Sequence, residues 1–114
     1  SFTPTTFACP PQRLEMLAVA IEHAMDAPAR EAARVLPAHL ESNFMAPEYR
    51  GAQPLTELLL PPGAPADAVV AGTATAFTAD DILGVIAAHR RAIGKLTMAP
   101  ELPAALPLIR SLVS

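Results

Sequence analysis

The sequence predicts a mainly α fold: a small single-domain bundle of four or five short, proline-punctuated helices over residues 1–114. Three observations predict it. Apolar residues make up 52% of the chain and aromatic ones only 4%, so the core must be aliphatic. The aliphatic side chains recur at helical spacing. Thirteen prolines then divide them into short pieces joined by stiff corners. A chain this apolar buries enough surface to offset the entropy of ordering, so it does not read as disordered.

Residues 1–9 (SFTPTTFAC) read as an extended arm, because Thr and Phe favour strand-like backbone and Pro4 excludes a helix interior. Phe2 and Phe7 would lay this arm on the core or on a second subunit. The first helix is expected to start near Pro10–Pro11, since proline suits the first turn, and to reach about Met25. Leu14, Leu17, Ala18, Ile21 and Met25 fall on one stripe of it. Asp26 can cap a second helix, which Pro37 would kink or split into about 28–36 and 37–44. Residues 45–54 are loop by composition. Pro54 opens a short helix, Leu55 to Leu60, closed by Pro61-Pro62-Gly63.

Residues 68–77 (AVVAGTATAF) mix strand and helix formers around Gly72 and read as a second extended or irregular segment. The clearest helix is expected over 79–96. Thr78 is a natural N-cap, Asp80 and Asp81 sit in the first turn, and Phe77 with Ile82 occupy the positions of a hydrophobic staple. A final helix is expected over about 104–113, carrying Leu106, Ile109, Leu112 and Val113.

Charge and motifs exclude several function classes. The net charge is −3, and Lys95 is the only lysine among eight basic residues, so the footprint of a nucleic-acid binder is absent. Cys9 stands alone, which rules out an intrachain disulfide. No apolar run is long enough for a membrane span, and no basic segment precedes an apolar run at the start, so the sequence reads as cytoplasmic. Glu-x-x-His, His-x-x-x-His and Cys-x-x-Cys are missing, as are a phosphate loop and a nucleophile elbow. No metal, cofactor or catalytic residue is therefore assigned.

Three functional readings follow. The leading one is non-catalytic: an adaptor, chaperone-like or structural subunit that buries an aliphatic face against a protein partner or a second copy. Leu106, Ile109, Leu112 and Val113 would carry it, supported by Leu58, Leu59 and Leu60. The alternative is a small enzyme or a ligand- or ion-binding domain centred on His89, with His39 or Glu41 and the adjacent Arg90 and Arg91. His89 would fall between Ile86 and Ile93 on the apolar stripe of its helix, where an imidazole needs a partner. The third reading uses the 79–96 helix to bind nucleic acid; the location of its cations at the helix's carboxyl half, where they complement the dipole, opposes it.

Overall fold

Residues 1–27 and 31–114 are described by a computed structural model. The chain runs β1 (Thr5–Thr6), α1 (Pro11–Asp26), β2 (Ala38–Glu41), α2 (Ala79–Ala88), β3 (Ile93–Thr97) and α3 (Ala105–Val113), with short 3₁₀ turns between β2 and α2 and before β3. The strands form one three-stranded sheet in the order β1-β2-β3, with both pairings parallel. The fold is thus α/β with three α-helices among the described residues, and the expected mainly α bundle of four or five helices is incorrect.

Two segments account for the difference. The expected helical pieces over 28–36 and 37–44 are replaced, in the described part, by turns and by β2; residues 28–30 lie outside the described residues. Pro37 blocks helical continuation, and Ala38-His39-Leu40-Glu41 alternates buried with half-buried positions, as a strand does. The expected helix over 79–96 ends at Ala88. Its second half is a 3₁₀ turn, Arg90–Ala92, followed by β3. Here pairing with β2 overrides the helical spacing of Ile86, Ile93 and Leu96. The short helix expected from Leu55 to Leu60 contracts to a 3₁₀ turn, Leu55–Glu57, and Leu58 is extended.

The N-terminal arm is extended, and its partner is the segment leading into β2. Phe2 exchanges backbone hydrogen bonds with Arg34 and Leu36, and the His39 N–H donates to the Pro4 carbonyl at 2.8 Å. Residues 69–77 are turns and irregular backbone with no strand.

Helix α1 starts at Pro11 and buries Leu14, Ala18 and Ile21. Helix α2 carries a capping box. Thr78 Oγ1 accepts from the Asp81 N–H at 3.2 Å, and Asp81 Oδ2 accepts from the Thr78 N–H at 2.8 Å, a cap worth about 1 kcal/mol. Helix α3 tolerates Pro107 because the first turn's N–H groups have no intrahelical acceptor.

All three helices feed one core. Leu14 of α1, Ile82 and Ile86 of α2, and Leu108 of α3 pack with Leu40 of β2 and Phe44. Burial of each such side chain contributes about 1.5–3 kcal/mol. The helices therefore cover the Leu40 face of the sheet. Geometry requires this: parallel strands laid down in chain order and joined by right-handed crossovers place successive helices on the same side. The register puts Thr5, His39 and Lys95 side by side, with Glu41 opposite Thr97, on the other face. There Thr5, Lys95 and Thr97 are exposed and His39 and Glu41 half-buried.

Gly94 lets β3 approach β2. A Cβ at that position would sit 3.1 Å from Pro37 Cβ and 3.5 Å from the Pro37 carbonyl oxygen, beside the register irregularity between Ala38 and His39. Gly94→Val is expected to destabilise the fold by about 1–3 kcal/mol through overpacking. Gly84→Ala on α2, where nothing lies within 4 Å of the new Cβ, is expected to stabilise by about 0.5–1 kcal/mol. Urea midpoints at constant slope check both.

Candidate functional site at the carboxyl ends of the strands

In parallel β/α sheets, ligands gather outside the carboxyl ends of the strands, where loops are free to carry chemistry. Here that end holds a polar network. Gln53, only 4% exposed, accepts from the Ala8 N–H at 2.7 Å, just after β1, and its amide donates to Glu41 Oε2 at the end of β2. The Asn43 amide donates to the Cys9 carbonyl at 3.0 Å and to the Glu57 carbonyl at 2.7 Å. Ser42 Oγ donates to the Thr97 carbonyl at 2.7 Å and accepts from the Phe44 N–H at 3.2 Å. The network joins the ends of all three strands.

Two sequence-predicted residues come together at its rim. His39 and Glu41 are two apart on β2 and so share a face, with Cα atoms about 6.6 Å apart by strand rise. His39 Nε2 lies 2.6 Å from Thr97 Oγ1 on β3. The result is an imidazole, a hydroxyl and a carboxylate side by side on the open face. Chemically, such a set can accept and donate hydrogen bonds to a polar ligand and relay a proton. One imidazole and one carboxylate fall short of a full metal shell. Among the described residues, no three His, Cys, Asp or Glu side chains converge as metal ligands.

His89 is elsewhere. It caps the carboxyl end of α2 rather than lying mid-helix, and its Nδ1 is 3.3 Å from Glu22 Oε1 of α1. Its Nε2 is 3.8 Å from Glu15 Oε1. It thus joins two helices on the covered side and does not meet His39 or Glu41. Arg91 makes a two-pronged bond to Asp26 at 2.6 and 2.8 Å, and that bond holds the Asp26 carboxyl below its usual range. Arg90 is exposed on the 3₁₀ turn. With α2 ending at Ala88, the 79–96 helix invoked for nucleic-acid binding is not continuous.

The aliphatic candidates divide. Leu58 is 1% exposed and belongs to the interior. Leu59 and Leu60 are half-buried and line a cleft with Val69, Val70 and Phe77. On α3, Leu106 and Val113 are exposed, while Ile109 and Leu112 are half-buried and line a groove with residues of β3.

Sequence reasoning missed Ser42, Asn43, Gln53 and Thr97. One signal existed: Asn43 is the only asparagine in the chain. No helix among the described residues is long and apolar enough to cross a membrane. No protein family, curated protein or solved structure matches the chain.

Two expectations follow from the network. Asn43→Ala strands one buried and one part-buried carbonyl and is expected to cost roughly 2–4 kcal/mol, read by urea unfolding. Burial raises the Cys9 thiol above its ordinary value, against the opposing charge of Arg13. The neutral thiol is therefore favoured by the fold. Its stabilising effect is full below the unfolded-state pKa and is lost as pH rises through the folded one. Alkylation of Cys9 by iodoacetamide at pH 8 is expected to be about tenfold or more slower in the native protein than in urea.

Proposed function

We propose that the chain presents a small-molecule site of the parallel β/α type, built on the open sheet face at the carboxyl ends of β2 and β3. The ligand is a small polar molecule rich in hydrogen-bonding groups. Glu41 accepts a hydrogen bond or a proton from it. His39, oriented by Thr97, donates to it or takes a proton in turn. The observation that carries this reading is the pairing of His39 and Glu41 on the sheet face turned away from Leu40, beside Thr97. The buried bonds of Gln53, Asn43 and Ser42 support it, because a site needs rigid backing to hold its side chains in place. This is the ligand-binding alternative read from the sequence, now without His89. We also propose a cytoplasmic setting, supported by the free thiol of Cys9.

A screen of small polar metabolites by NMR tests the site. Ligands are expected to shift the His39 ring signals and the backbone amides of residues 39–43 and 97. Glu41→Gln preserves shape but removes the charge, and is expected to weaken the hits about tenfold or more, the worth of a charge-assisted hydrogen bond. His39→Ala is expected to do the same. Hits that map to other surfaces, or that bind the Glu41→Gln variant as well as the unsubstituted protein, would overturn the assignment.

A further inference from the structure

The sheet ends at β3. Its one hydrogen-bonded neighbour is β2, and no strand among the described residues lies on its other side. Along that free edge runs a groove of about 470 Å³ between β3 and α3, within the range of sites that hold specific ligands. Its apolar lining includes Ile86, Leu96, Ile109 and Leu112. Two cations, Arg90 and Lys95, also line it, and no carboxylate does among the described residues. Neither cation forms an ion pair among the described residues, whereas the neighbouring Arg91 is bound to Asp26.

These features specify an occupant. An unpaired strand edge offers main-chain donors and acceptors to an extended backbone. The aliphatic lining asks for apolar side chains, and the two unpaired cations ask for carboxylates. We propose that this groove binds an extended, apolar segment of a partner protein that carries acidic residues, pairs with the free edge of β3 and sets its carboxylates on Arg90 and Lys95. A second copy of the N-terminal arm meets the requirement less well, since residues 1–8 contain no acidic side chain. A nucleic-acid backbone would satisfy the cations and leave the apolar lining wet. The groove adjoins the His39–Glu41 face and shares Thr97 and Lys95 with it, but the proposal rests on the groove's own lining and not on what that face binds.

Two synthetic hexapeptides test it: acetylated Glu-Val-Thr-Ile-Val-Glu amide and its counterpart with lysine at both ends. The acidic peptide is expected to shift the amides of Gly94 to Thr97, to protect from exchange those of them that face the free edge, and to move the methyl signals of Ile109 and Leu112. The lysine peptide is expected to bind about tenfold or more weakly. In the Arg90→Glu, Lys95→Glu double variant the preference is expected to reverse. Both positions are exposed, and circular dichroism checks the fold. If the variant misfolds, the peptide pair alone still decides. Equal binding of the two peptides overturns the proposal, as does binding of neither at millimolar concentration, or shifts confined to β1. Sedimentation showing concentration-dependent self-association, with β3 amides shifted in the absence of peptide, also overturns it and gives the groove to a second copy.

Discussion

Strand β2 is only four residues long, yet it is hydrogen-bonded on both sides to strands running its own way. A parallel neighbour cannot be reached by a tight turn; the chain must cross over, and the economical crossover is a helix. Helix α1 fills that role between β1 and β2, and α2 between β2 and β3. Because the strands follow chain order, both helices fall on one side. Leu40, at 1% exposure, is where their stripes meet. Among the described residues the apolar core thus lies on the Leu40 face of the sheet.

Much of the local structure was legible from the residues. The proline start and stripe of α1, the Thr78 cap of α2 and the apolar run of α3 are local signals, and each marks a helix in the structure. The sheet was hidden because its strands are short and its pairings long-range. Two residues of β1 carry almost no periodicity, and His39 pairs with Lys95 across a separation no local pattern encodes. In Ile86, Ile93 and Leu96 the helical spacing is present but belongs to two different elements. Gly94 is the discordant residue: glycine weakens a helix interior, and here it serves the close approach to Pro37.

The site was half legible for the same reason. His39 and Glu41 stood out as residue types, but placing them on one face requires knowing that their segment is a strand. Read as a helix, residues two apart point well away from each other. His89 drew attention as a polar ring on an apolar seam, and it does find carboxylates there, Glu22 and Glu15. Those partners explain it structurally, as a link between α1 and the end of α2. The polar residues that brace the strand ends, Asn43 and Gln53, bond to backbone or to groups far away in sequence. Nothing in their neighbours forecasts such bonds.

The bare face and the bare edge have one origin. Parallel sheets are ordinarily covered on both faces, and their strands read as continuous apolar runs. Here β2 alternates instead, with His39 and Glu41 on the uncovered side, so the sequence itself is adapted to a polar surface there. Its neighbour β3 carries the same adaptation further. Lys95 lies on the open face opposite His39 and also lines the edge groove beside α3. Its charge therefore stands between the two surfaces. An acidic segment drawn to Lys95 at the edge would neutralise the cation paired in register with His39, so occupancy of the groove and the electrostatics of the polar face are physically linked through that one side chain.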